Sequence, residues 1–315
     1  AGSLPVHNDG RMEGKEEPQS AIRNKPPSAI AWLEGRCVSI GESIGYWVFI
    51  DIMRSYLEFS ESDSPKALGE KIVEGLKLLF PQRWEDIVPY IGNLLSVKFG
   101  NRWDEKVKHA PAEQVKHQTF LALRDVFQAL ASQKPTLLIL EDLHWADHLS
   151  LELLSLLMDD LPRAPLMLLC IYRPEKDHKS WHIITQASEK CLERYKEIAL
   201  RALNLLESQR LVESLLCVEN LPETVKASIL QKAEGNPFFV EEVLRSLIAS
   251  GVIYRDGERW VAKAEIEAIE VPDTIQSVIM ARIDRLEAEA RYILQNAAVI
   301  GKLFRRQLLE DTMQQ

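Results

Sequence analysis

No apolar run in this 315-residue sequence reaches the roughly 18 residues that a membrane-spanning helix needs, so no membrane span is expected. The N-terminus also lacks the charged-then-apolar pattern of a secretory signal. Cysteine is scarce: Cys37, Cys170, Cys191 and Cys217 stand far apart, with no Cys-x-x-Cys pair. That spacing fits neither a zinc site nor a disulfide framework. Two of the four lie in apolar contexts and are expected to pack as small hydrophobes, and a reducing cytoplasm is the expected compartment. A basic excess is missing as well. Lys and Arg number 38 against 47 Asp and Glu, a formal net charge of −9. A broad nucleic-acid face needs clustered cations, so nucleic acid is not an expected partner.

What remains is an ordinary globular composition, 46% hydrophobic and 27% charged, with length enough for two domains. Residues 1–28 are polar and rich in Gly, Pro and Ser, which reads as a disordered or non-native leader. "AIAWLEGRCV" (29–38) reads as a short strand ending at Gly35-Arg36. Helices are expected at 46–59, 65–80 and 86–97. A stronger one runs over 112–133, with Val115, Phe120, Leu123, Val126, Phe127 and Leu130 on one face. A strand at 137–140, a helix at 149–160 and a second apolar run at 164–175 then form a strand-helix-strand unit. Continuous apolar runs of this kind indicate a parallel sheet buried on both faces, hence an α/β fold. From 203 to 250 the chain reads as helical, and Gly251 closes the last helix. A hairpin follows over 252–262 with Asp256-Gly257 as its turn, then two more helices.

The chemistry concentrates at "TLLILEDLHWAD". A parallel strand delivers its last residues to the carboxyl edge of the sheet, where open α/β folds bind ligands. At that edge Glu141-Asp142 can hold Mg²⁺ directly or through water, and a second carboxylate can orient and deprotonate an attacking water. The other reading is a capping acid in a strand-to-helix loop. Arg173, just past the next strand, can reach a γ-phosphate or simply pair with Glu175. Gly235-Asn236-Pro237 gives a tight turn into a helix whose first position suits proline. His144 and His148 are four apart without a third ligand, so zinc is not expected. Asp147 is an expected N-cap.

A phosphate cradle is absent. No G-x-x-x-x-G-K-[ST] occurs; "GRMEGKE" (10–16) is one residue short, lacks the Ser or Thr and has no strand before it, and Gly301-Lys302 is followed by leucine.

"WLEGRCVSIGESIGYWVFIDIMRSYL", "TFLALRDVFQAL", "LLILEDLHWADHLSLELL", "LMLLCIYRPE", "ILQKAEGNPFFVEEVLRSLIASGVI" and "VPDTIQSVIMARIDRLEAEARYILQNAAVIG" occur in this order. Together they resemble the STAND-class AAA-like ATPase module. This is the Orc1-like ATPase domain of bacterial proteins linked to class III adenylate/guanylate cyclases and of large LuxR-type regulators. The resemblance spans roughly residues 30 to 304. It implies a P-loop NTPase-like parallel sheet, a helical lid and the start of a winged-helix-like domain. It makes Glu141 and Asp142 the Walker B acids, Asp142 holding Mg²⁺ through water. Arg173 becomes the sensor and Pro237 the lid proline that contacts nucleotide. ATP or ADP with Mg²⁺ is the implied cofactor, and ATP-to-ADP switching the implied logic.

In the family, "WLEGRC" follows a first strand, a GxxGxGKS/T loop and a helix. Here residues 1–28 hold that place, so a fragment lacking the Walker A region, with weak or no ATP binding by itself, is expected. The expected organisation is a leader (1–28), an incomplete ATPase core (29–202), a lid with hairpin (203–262) and the start of a winged-helix-like domain (263–315). The expected role is a regulatory switch in a multidomain signalling protein, partnered by a cyclase or helix-turn-helix effector and a repeat sensor domain. The alternative is a non-catalytic scaffold derived from an ATPase.

Overall fold

The computed structural model describes residues 29–315 except 40, 42–43, 162–163, 175–179, 216–217, 220, 258, 263–273, 301–303, 305 and 314–315. The expected leader at 1–28 and Cys217 lie outside the described residues. The chain divides into two compact units, Ala1–Lys196 and Glu197–Gln315.

The first unit is α/β. Strands β1 (Ala31–Arg36), β2 (Thr136–Glu141) and β3 (Leu166–Cys170) form a parallel sheet in the order β1-β2-β3. Among the described residues seven α-helices accompany it: α1 (Trp47–Tyr56), α2 (Pro65–Leu79), α3 (Trp84–Leu94), α4 (Arg102–Lys108), α5 (Ala112–Gln133), α6 (His148–Asp160) and α7 (Ser180–Cys191). The expected stripe of α5 is the one that packs: Leu123, Val126 and Phe127 are fully buried. Helix α1 lies so close on β1 that a Cβ on Gly35 would sit 2.5 Å from the Val48 carbonyl oxygen, which is why the strand carries glycine there. The short α4 has no buried residue, so it gives no periodic signal. Caps define it instead: the Asn101 side chain accepts from Trp103 N at 2.9 Å, and the Asp104 carboxylate accepts from Phe99 N and Gly100 N.

The two faces of the sheet differ. Leu138 and Leu140 are fully buried in the main core, where Leu33, Leu166, Leu168 and Cys170 pack against them. On the opposite face the register aligns Trp32 with Leu137 and Met167, and Glu34 with Ile139 and Leu169. There Trp32 is 49%, Met167 63% and Leu169 37% exposed. Ile139 on that face is buried, so the expectation of burial on both faces holds fully for one face and only at the middle strand for the other. The apolar pattern matches a sheet built for two helical layers, and the described helices cover one.

The second unit contains α8 (Leu205–Leu215), β4 (Val218–Glu219), α9 (Glu223–Ala233), α10 (Pro237–Ala249), β5 (Ile253–Asp256), β6 (Arg259–Ala262), α11 (Ile275–Asp284), α12 (Ala288–Ile300) and α13 (Arg306–Met313). Ile229, Val240, Val243, Ile253 and Val278 form its core. The hairpin is present, but Asp256 pairs with Arg259 and so belongs to the strand rather than to the turn. Gly257 takes the positive φ of 60° and Asp256 stays in the ladder. Strand β4 joins β6 in parallel, which the helical reading of that stretch did not anticipate.

Candidate nucleotide and metal site

Strand β2 is the middle of the three, so its C-terminal end has a neighbour on each side. The sheet hydrogen bonding continues past the strand: Cys37 N donates to Glu141 O at 2.9 Å and Leu143 N to Ile171 O at 3.0 Å. Between those anchors Asp142 adopts the left-handed conformation, φ 53° and ψ 37°. Aspartate tolerates that region better than most residues. The turn places the two carboxylates in succession at the carboxyl edge, with 31% of the Glu141 side chain and 24% of the Asp142 side chain exposed. They are reachable from solvent and partly shielded from it.

Arg36, the last residue of β1, stands opposite Glu141 in the register. Its Nε donates to Asp142 Oδ2 at 2.7 Å and lies 3.7 Å from Glu141 Oε2. The hydrogen bond to Asp142 holds the guanidinium pKa above its ordinary value. The backbone of Arg36 is fixed by α1: its N–H donates to Asp51 Oδ2 at 3.0 Å, and its carbonyl accepts from Trp47 Nε1 at 3.1 Å. Burial pushes the Asp51 carboxyl upward, partly offset by that backbone N–H. Sequence reasoning passed over Arg36 because its partners lie 106 residues away. The signal was an arginine ending one strand beside an acid pair ending another.

Five residues past Asp142, Asp147 is buried and caps α6 by accepting from Ser150 N at 2.9 Å, as its position suggests. It also accepts from Tyr46 N at 2.9 Å, Trp47 N at 3.1 Å and Ser150 Oγ at 2.5 Å. One carboxylate thus serves the N-termini of both α6 and α1, where helix dipoles favour negative charge. His144 is buried with its ring 4.6 Å from that of Trp145, and His148 pairs with Glu152 at 2.8 Å. Cys37 is buried, and that burial pushes its thiol up to about 12. Among the described residues no three His, Cys, Asp or Glu side chains are grouped to hold a metal.

Arg173 lies three residues beyond β3, outside helix and strand, and is exposed. Among the described residues no ion pair joins it to Glu141 or Asp142. Pro237, in the second unit, occupies the first turn of α10 behind Asn236, whose side chain accepts from Phe238 N at 3.0 Å. Gly235 has φ 77°, and a Cβ on it would sit 2.2 Å from Leu203 O. Within α10, Glu242 is buried and ion-paired with Arg282 of α11. Within the first unit the structure therefore brings Glu141, Asp142 and Arg36 into contact, and leaves Arg173 without an ion pair to either acid among the described residues.

A family model described as an AAA ATPase domain matches residues 19–169, and one described as a domain of unknown function (DUF8739) matches residues 206–256. Neither a curated protein nor a solved structure matches the chain. The matched segment contains β1, β2, the acid pair and nearly all of β3. Residues 19–169 are thus similar to an AAA ATPase domain, and the architecture is a P-loop NTPase-like α/β core followed by a helical region.

Proposed function

We propose that this chain is the acid-bearing part of an ATP-dependent regulatory switch within a multidomain bacterial signalling protein, working in the cytoplasm beside a cyclase or helix-turn-helix effector. The observation that carries the reading is the acid pair at the carboxyl edge of the central strand, inside a segment that matches an AAA ATPase domain. The donor set suits a hard divalent cation: two adjacent carboxylates, partly shielded, already engaged with a cationic guanidinium. Asp142 would hold Mg²⁺ through water. When bound, the ion would neutralise charge on the β- and γ-phosphates. Glu141 would align an attacking water and accept its proton. Arg173, exposed beyond β3, would turn toward phosphate, and Pro237 would meet nucleotide from the lid.

The phosphates need a cradle of backbone N–H groups and a lysine, and no such loop occurs in the 315 residues. The exposed face carrying Met167 and Leu169, on the outer strand of the described sheet, is suited to receive a strand-loop-helix unit that would bring one. Fluorescent-nucleotide titration with Mg²⁺ tests the proposal. The chain alone should bind weakly or not at all. A form extended by an upstream segment bearing G-x-x-x-x-G-K-[ST] should bind in the micromolar range and lose hydrolysis with Asp142→Ala. Micromolar, Asp142-dependent binding by the chain alone would refute the need for the added loop. The same exposed face favours a second reading, a partner-binding scaffold, which absence of nucleotide binding by both forms would support.

A further inference from the structure

The contact between Arg36 and the acid pair has a role of its own. We propose that Arg36 is an internal cation that occupies the metal position of Glu141-Asp142, so that a divalent ion enters only by displacing it. The inference rests on the proposed reading of Asp142 as the metal-bearing carboxylate.

Three observations converge. Arg36 Nε is 2.7 Å from Asp142 Oδ2 and 3.7 Å from Glu141 Oε2, so one guanidinium engages both acids. Its backbone is pinned on both sides, by Asp51 and by Trp47, which fixes the root of the side chain. The side chain itself is 53% exposed, so it can swing away without unpacking any core. An ion pair as exposed as this contributes little to folding. Stability therefore gives weak reason for an arginine at this position. Its effect on the acid pair is larger, because it cancels one of two adjacent negative charges where a dication would sit.

The geometry also explains why arginine differs from lysine here. The guanidinium presents several donors in a rigid plane, whereas an ammonium is a mobile point charge on a flexible stem. Arg36 can hold Asp142 through Nε while remaining beside Glu141. A lysine would neutralise charge less locally and block metal less completely. Arg36 is thus a positioning residue that acts through Asp142.

Mn²⁺ binding to the chain, followed by the electron paramagnetic resonance signal of the free ion, reads this out without nucleotide or turnover. The wild-type chain should bind Mn²⁺ weakly. Arg36→Ala should tighten binding by tenfold or more, Arg36→Lys should fall between, and Arg36→Ala with Asp142→Asn should lose the gain. Arg36→Met, which keeps an aliphatic stem, repeats the test should the alanine variant misfold. Equal, Asp142-dependent affinity in wild type and Arg36→Ala would overturn the lock while leaving the metal reading intact. Absence of Mn²⁺ binding in every variant would overturn both.

Discussion

At the residue scale, Gly235 shows how far a local motif can be read. Gly-Asn-Pro before a helix is legible because cap, turn and proline all act within a few residues. Asn236 does cap α10, and Pro237 does sit in its first turn. The close approach of Leu203 to Gly235 was not legible, because nothing near position 235 encodes it. Leu203 N donates to Gly235 O at 2.8 Å, while a Cβ on residue 235 would collide with the Leu203 carbonyl. Gly235→Ala therefore combines a positive-φ penalty with a backbone clash and should destabilise the second unit by about 1–3 kcal/mol. Chemical denaturation followed by circular dichroism measures this. An unchanged midpoint would show that the backbone at Leu203 gives way freely. Arg36 is the contrary case: its neighbours "WLEGRC" read as a strand, but the charge it neutralises comes from a strand a hundred residues on.

At the scale of elements, periodicity revealed α5 and the apolar strands, and caps revealed the start of α6. It did not reveal α4 or α7, whose stability comes from capping and from packing on other helices. The double role of Asp147 belongs to this level. A capping acid ahead of α6 follows from sequence, but its hydrogen bonds to Tyr46 N and Trp47 N fasten α1 to the same carboxylate. Asp147→Asn keeps one oxygen acceptor and turns an amide donor toward an N–H or hydroxyl that needs an acceptor. It should cost about 1–3 kcal/mol. Asp147→Ala, which leaves four donors without their acceptor, should cost more. Urea titration followed by the fluorescence of Trp47 and Trp145 gives both values. Equal midpoints for wild type and the asparagine variant would show that charge at this cap contributes nothing.

At the scale of the whole molecule, alternating apolar strands and helices identified the parallel sheet, but not which of its faces the helices would leave exposed. Both faces of β2 and β3 are apolar in sequence, so the pattern alone could not distinguish a covered layer from an open one. The chain divides into its two compact units at 196–197. Between them the chain from Lys196 to Asn204 has neither helix nor strand, and Ile198 and Leu200 are 71% and 93% exposed. Exposed, irregular backbone of this kind is where proteases cut first. The two trypsin sites there are not equivalent. The Arg201 guanidinium grips Glu207 through two hydrogen bonds of 2.8 Å, whereas Lys196 is exposed at the start of the stretch. Brief trypsin treatment should therefore release, among its first products, a fragment beginning at Glu197, ahead of one beginning at Ala202. N-terminal sequencing and intact mass identify both. Early cleavage inside α8 or α10 instead, with the bond after Lys196 intact, would show that the connection is better protected than the helices it joins.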